Sequence, residues 1–173
     1  MEILEDRKEW LQDYTSNCLS HYHATGEIDW KRYHYSKNSD FPSALPVKLS
    51  QAQIMLVTSS GAYLPDSQEP FDAANKLGDY QVRVFDPMTP FEKIDYAHEH
   101  YDQSYVRKDP QVLLPLRHLE ILVTTNYIAS LTPKVVSFMG YQPDVTKIID
   151  ITIPEVISVA QENEVDAVFL VPS

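Results

Sequence analysis

The sequence predicts an α/β fold: a predominantly parallel sheet flanked by helices in a flavodoxin- or Rossmann-like three-layer arrangement, entered through an N-terminal helical arm. Three observations lead there. Gln53-Ile54-Met55-Leu56-Val57-Thr58 is a short apolar run, and Val165-Asp166-Ala167-Val168-Phe169-Leu170-Val171 is a second one far downstream. Continuous apolar runs of this length suit inner strands of a parallel sheet covered on both faces, where half-buried strands would alternate. Helix-patterned segments stand between the two, as crossover connections between parallel strands require. With 173 residues the chain falls in the size range of one domain. It divides into a helix and irregular aromatic-rich arm over residues 1–50 and an α/β core over residues 51–173.

Residues 1–25 read as helix, with Ile3, Leu4, Trp10, Leu11 and Tyr14 at near-helical spacing among charged residues. From Gly26 to Leu49 the pattern fails, and Trp30, Tyr33, Tyr35, Phe41, Pro42 and Pro46 predict an irregular arm that packs by its rings. The core opens with the strand at 53–58, followed at once by the small-residue loop Ser59-Ser60-Gly61-Ala62. A long irregular crossover over 64–78, marked by Pro65, Pro70 and Gly78, leads to a strand at 80–85. Leu113 to Val123 predicts a core-facing helix. Asp144 to Glu162 predicts a second helical region in which Pro154 starts a new segment, because an interior proline removes a bond and clashes with the preceding turn. The strand at 165–171 is expected to be an inner one.

Charge and cysteine usage narrow the function. A formal net charge of -11 repels phosphate backbones and anionic lipid surfaces, so neither nucleic acid nor membrane is an expected partner. No apolar segment reaches the roughly 18 residues of a transmembrane span, and the N-terminus lacks the basic-then-apolar order of a signal peptide, which predicts a cytoplasmic protein. Cys18 is the single cysteine. It supplies no dithiol and reads as a small, partly buried apolar residue.

Two constellations carry polar chemistry. In Asp95-Tyr96-Ala97-His98-Glu99-His100-Tyr101-Asp102, an extended backbone would point His98 and His100 to one side, toward a metal or an anionic substrate. A divalent ion wants further ligands, for which Asp102 and the distant His118 are the candidates, so no metal is assigned. The ordinary alternative is a hydrogen-bonded loop whose carboxylates orient the rings. Thr58-Ser59-Ser60-Gly61 is a hydroxyl-rich turn after a strand that would suit a carboxylate or phosphate, although it lacks the lysine and glycine spacing of a P-loop. In Ser137-Phe138-Met139-Gly140-Tyr141 the glycine predicts a tight bend among packed large residues. Thr58, Ser59, Ser60, His98, His100 and Tyr101 are therefore the candidate substrate-binding residues. Of these, Ser59, Ser60, His98, His100 and Tyr101 are expected in one cleft at the carboxyl ends of the strands.

Taken in order, Leu56-Val57-Thr58-Ser59-Ser60-Gly61, Pro70-Phe71-Asp72, Gly78-Asp79, His98-Glu99-His100-Tyr101-Asp102, Leu114-Pro115-Leu116-Arg117, Ser137-Phe138-Met139-Gly140-Tyr141 and Val165-Asp166-Ala167-Val168-Phe169-Leu170-Val171-Pro172 form a set. Over residues 53–173 it resembles the glycine, sarcosine, betaine and D-proline reductase selenoprotein B family. The resemblance implies reductive cleavage of a carbon–nitrogen bond in an amino acid or N-methylated amine. A selenocysteine or cysteine shortly after the final strand would attack the substrate-derived carbon, with a partner subunit of the reductase assisting. This chain has no cysteine after Cys18 and no selenocysteine, so no catalytic residue is carried over. The expectation is that the coding sequence continues past Ser173.

The function expected is thus a component of such a reductase, with no cofactor of its own, acting on a small molecule beside a partner subunit. A homo-oligomer is compatible with the sequence. A noncatalytic binding or assembly module of the same fold is the alternative, and a metal-dependent enzyme using His98 and His100 is a third class.

Overall fold

A computed structural model describes residues 4–39 and 45–173. Phe41 and Pro42 of the aromatic arm, and Ile3 of the first helix, lie outside the described residues.

The first helical stretch runs from α1 (Arg7–Asp13) through π-helical turns at Tyr14–Leu19 into α2 (Ser20–Thr25). It ends at Gly26, whose left-handed conformation closes the last turn. Its inward stripe is Trp10, Tyr14 and Cys18, all buried, packed with Ile28, Tyr33 and Val145. The arm then packs by its rings, as expected: Trp10 stacks on Tyr14, Tyr33 meets both edge-on, and Trp30 bridges Tyr33 to Tyr141. Such pairs contribute about 0.5–1.5 kcal/mol each beyond their area.

The main sheet is mixed and mostly parallel. Its middle is β1 (Gln53–Thr58), a strand buried along nearly its whole length. Outside it, β2 (Ala62–Tyr63) and β4 (Asp95–Tyr96) form a separate two-stranded antiparallel ladder, with Ala62 opposite Tyr96. β3 (Arg83–Phe85) is the antiparallel member of the main sheet and runs against β6 (Val135–Ser137). β5 (Ser130–Leu131) and β6 flank the same side of β1, pairing with its first and second halves in parallel. They are one course broken at Pro133, which has no N–H to give, and Thr132 bonds locally to the Lys134 carbonyl at 2.7 Å. β7 (Ala167–Val171) lies along the other side of β1 in parallel, from Ile54 opposite Ala167 to Thr58 opposite Val171.

Helices cover both faces. On one, Ile54 and Leu56 pack with Leu116 and Leu119 of α4 (Leu116–Thr124), which follows the short α3 (Ser104–Lys108). On the other, Met55, Val57 and Val136 meet Val156, Val159 and Ala160. Those three belong to α6 (Ile153–Glu162), reached through α5 (Val145–Lys147) and π-helical turns at Ile148–Thr152. Asp144 caps α5 by accepting from the Thr146 amide at 3.0 Å. Pro154 falls in the first turn of α6, where its missing N–H is harmless.

Three expectations are corrected. The strand expected at 80–85 is limited to Arg83–Phe85, because the backbone before it is committed to side chains. The Tyr80 carbonyl accepts from Thr152 Oγ1 at 2.7 Å and the Val82 amide donates to Glu155 at 3.3 Å. The β5–β6 course was not anticipated at all. The third correction is the largest: among the described residues β7 pairs with β1 alone, at the edge of the sheet and not inside it, with Val168, Phe169 and Leu170 exposed at 42%, 44% and 67%. Apolar continuity reports what a strand can bury and says nothing of how many neighbours it has.

Candidate functional site

The parallel strands β1, β6 and β7 all finish at one end of the sheet, and the residues that follow them meet. The Phe138 amide donates to the Thr58 carbonyl at 3.0 Å, the Gly61 amide to the Phe138 carbonyl at 2.9 Å, and the Ser59 amide to the Val171 carbonyl at 3.1 Å. Beyond this knot lies a cleft of about 390 Å³ lined by Ser59, His98, His100, Tyr101, Phe138, Gly140, Tyr141, Pro172 and Ser173. It occupies the place where ligands bind in open α/β sheets.

Each wall has a local cause. The histidine segment is carried to the strand end by the β2–β4 ladder, extended by the Ala97 amide donating to the Gly61 carbonyl at 2.9 Å. That approach needs Gly61: its φ is +68°, and a Cβ there would sit 2.6 Å from the Ala97 carbonyl oxygen. Gln103 donates to the His98 carbonyl at 2.5 Å and is itself held by Arg107, which also pairs with Asp95 at 3.0 Å. Gly140 has no positive φ; it makes no left-handed bend but leaves room for Ser59 and Ser173, each with an atom 3.2 Å from where its Cβ would be.

The segment is not extended. His98 is 5% exposed and its Nδ1 accepts the His100 amide at 3.0 Å, which in the neutral ring places the proton on Nε2. Burial, helped by any charge on nearby His100, pulls the His98 pKa down to about 4, so the ring is neutral at physiological pH. The His98 ring packs against Tyr101 at 4.7 Å, and His100 stacks flat on Tyr141 at 3.7 Å. Asp102 does not orient the rings as the loop alternative supposed; it accepts from the Ser104 amide at 2.9 Å at the start of α3.

Four of the six candidate residues, Ser59, His98, His100 and Tyr101, share the cleft. Thr58 and Ser60 do not line it: both are fully buried behind its wall. The hydroxyl turn also offers no free amides for an anion. Those of Ser59 and Gly61 are committed as above, and that of Ser60 turns back to Thr58 Oγ1 at 3.3 Å. Nor are the hydroxyls in the cleft wall idle. Tyr101 donates to the Ser60 carbonyl and Tyr141 to the Lys76 carbonyl, both at 2.9 Å, and burial raises the Tyr101 pKa to about 12. Ser59 and Ser173 close a ring of their own, in which Ser59 Oγ accepts the Ser173 amide at 2.8 Å and Ser173 Oγ donates to the Ser59 carbonyl at 3.0 Å.

The cleft is thus aromatic, and among the described residues no Lys, Arg, Asp or Glu lines it. Such walls suit a small molecule with an ammonium group, held over ring faces, better than a bare anion. Among the described residues no group of three or more His, Cys, Asp or Glu side chains is gathered to hold a metal ion. The one thiol, Cys18, is buried in the N-terminal cluster beside Trp10 and Tyr14, and burial raises its pKa. Phe138, Gly140 and Tyr141 were read as packing. Their signal was the Val135-Val136 pair between Pro133 and Gly140, a second strand end like the one at Thr58.

A profile of the glycine/sarcosine/betaine reductase selenoprotein B family matches residues 29–173. The chain is also similar to the D-proline reductase subunit gamma of Acetoanaerobium sticklandii, with 28% identity over 123 residues, 71% of this chain and 49% of that protein. It therefore spans about half the length of that relative. No solved structure matches the chain. Among the described residues no helix is long and apolar enough to cross a membrane.

Proposed function

This chain belongs to the glycine/sarcosine/betaine reductase selenoprotein B family, and from that premise we propose that it is the substrate-holding component of a reductase that cleaves a carbon–nitrogen bond in an amino acid or N-methylated amine. The observation that carries this reading is the position of the cleft, at the common carboxyl end of β1, β6 and β7 and walled by segments of the family-matched region. Ser59, His98, His100 and Tyr101 are its binding residues. His98 enters as a neutral, buried ring, while the His100–Tyr141 stack and Tyr101 present ring faces to an ammonium group.

Reductive cleavage consumes two electrons and two protons, converting the C–N bond to C–H and N–H. Cys18 is buried in a different cluster from the cleft, so the thiol or selenol that delivers the electrons is assigned to residues outside the given sequence, in a C-terminal extension or a partner subunit. A cytoplasmic setting and a flavodoxin- or Rossmann-like three-layer arrangement belong to the same proposal, the latter supported by α4 and α6 on opposite faces of the sheet.

Calorimetric titration of the purified chain with D-proline, sarcosine and glycine betaine tests the reading. At least one should bind, and His98→Ala should weaken it at least tenfold while the unfolding transition stays cooperative. Mixing the chain with the partner subunits should then give substrate-dependent consumption of a dithiol. A chain that binds none of the three and adds nothing to turnover is a noncatalytic assembly module, the alternative favoured by the absence of a thiol from the cleft lining.

A further inference from the structure

One wall of the cleft is held in place by the N-terminal arm. Tyr141 forms that wall by stacking on the exposed His100, with ring centroids 3.7 Å apart and planes 12° from parallel. The chain on either side of Tyr141 is fixed by the core: the Gly140 amide donates to the Ser59 carbonyl at 3.0 Å, and the Gln142 side chain donates to the Asp79 carbonyl at 2.9 Å. Those bonds leave the Tyr141 ring free to turn about its own side-chain torsions. Two contacts stop it. Its hydroxyl donates to the Lys76 carbonyl at 2.9 Å, and the Trp30 ring meets it edge-on at 5.9 Å.

Both contacts lead back to the arm. Trp30 lies within it, edge-on to Tyr33 at 5.4 Å, and Tyr33 meets Trp10 and Tyr14 of the buried N-terminal cluster, each at 6.1 Å. Lys76 is tied to the end of α2, where its Nζ donates to the Gly26 carbonyl at 3.0 Å and pairs with Glu27 at 2.6 Å. The turn that carries Lys76 comes close to Tyr141 through Gly78, whose φ is +83° and whose Cβ would sit 2.7 Å from the Tyr141 carbonyl oxygen.

We propose that Trp30 and Lys76 are positioning residues for the cleft: they hold the Tyr141 ring flat against His100, so that the arm sets how tightly the aromatic wall grips an ammonium group. The ammonium ligand rests on the reductase reading; the brace on Tyr141 does not. Folding alone gives these contacts little reason to exist. Trp30 is 51% exposed and the Glu27 side chain 71% exposed, where an ion pair adds little to stability. What they supply is orientation, since a ring fixed before the ligand arrives loses less freedom on binding. Gly26 and Glu27 also lie outside the family-matched residues 29–173, whereas Tyr141 and His100 lie within them. The grip of a family-matched wall thus depends on a segment outside the match.

Proton NMR and calorimetry on the full chain test the proposal. Stacking over Tyr141 should displace the His100 ring protons upfield in the unmodified chain. Trp30→Ala should reduce that displacement by half or more and weaken whichever of D-proline, sarcosine and glycine betaine binds by about fivefold or more, with unfolding still cooperative. Lys76→Met should act in the same direction to a smaller extent. Trp30→Phe keeps a ring edge and should restore both readings, and Tyr35→Ala, which removes a ring packed on Tyr33, should leave both unchanged. An undisturbed His100 displacement in Trp30→Ala, an undisturbed affinity beside a lost displacement, no recovery in Trp30→Phe, or an equal loss in Tyr35→Ala overturns the proposal. Should Trp30→Ala not fold, the same two readings on Lys76→Met decide. If the unmodified chain binds none of the three compounds, the reductase reading fails by itself, and the His100 displacement still decides the brace.

Discussion

β1 and β7 have almost the same local sequence character and pair residue by residue, yet one is sealed and the other is open. Leu56 is 2% exposed and Leu170 is 67% exposed, one register step apart. The difference comes from neighbours: among the described residues β1 has β5 and β6 on one side and β7 on the other, whereas β7 has β1 alone. Strand-forming character is local, but burial is a property of the assembled sheet, so two equivalent segments do opposite work. The inner one holds the fold together and its end organises the cleft; the outer one is paired along one side and leaves Val168, Phe169 and Leu170 exposed.

The largest effect expected from this contrast is at Leu56. Leu56→Ala should cost about 2–5 kcal/mol, as for other buried leucines, read as a lower urea midpoint with an unchanged slope. A loss under about 1 kcal/mol would mean that β1 is not the centre of the core.

Next is the pH dependence imposed by His98 at the end of β1. Its folded pKa is pulled down to about 4 by burial, from the ordinary value of 6.5. The unfolded state therefore binds the proton first, and stability from this ring is complete above about pH 6.5 and lost as pH falls toward 4, on the order of 3 kcal/mol in all. His98→Phe should flatten that part of the stability–pH curve. A slope equal to that of the unmodified chain would show that the ring is not buried neutral.

Gly61→Ala probes the same strand end through the backbone. With φ at +68° and the Ala97 oxygen 2.6 Å from the new methyl, it should cost about 2 kcal/mol and separate the histidine segment from Ser60. Thermal unfolding together with ligand titration would show both losses, and a neutral result would break the account of how the cleft is built.

The smallest effect belongs to the edge. Leu170→Ala should change stability by no more than about 0.5 kcal/mol in the isolated chain. If it matched Leu56→Ala, β7 would be covered in solution and the contrast between the strands would vanish.

Much of this was legible from residues alone. The 53–58 strand was placed to the residue because its apolar run is bounded by polar Gln53 and the Ser59-Ser60-Gly61 turn. The two main helices were located from their regular apolar spacing but not to the residue: α4 starts at Leu116 where 113 was expected, and the 144–162 region divides into α5, π-helical turns and α6. Ser59, His98, His100 and Tyr101 were expected in one cleft because polar side chains cluster beside a strand end, and these four do line it. Thr58 and Ser60 were misplaced, since which residues of a turn face a cavity depends on partners far away: Thr58 lies opposite Ser137, and Ser60 bridges Met139. Tyr141 was illegible for a similar reason. Its ring becomes a wall only by stacking on His100 and leaning on Trp30, contacts between three distant segments.

The pairing of β1 with β7 joins residues more than a hundred positions apart, as in the bond from the Gln53 amide to Asp166, a separation of 113. During synthesis the middle strand of the sheet must therefore leave the ribosome and wait, with one backbone edge unoccupied, until β7 emerges. At ordinary translation rates of about 5–20 residues per second, that delay is on the order of ten seconds. Closure of so long a loop is slow compared with helix formation. The helices would form first, and chaperone binding to nascent chains should peak while residues 53–58 are exposed and fall once Val171 has cleared the tunnel.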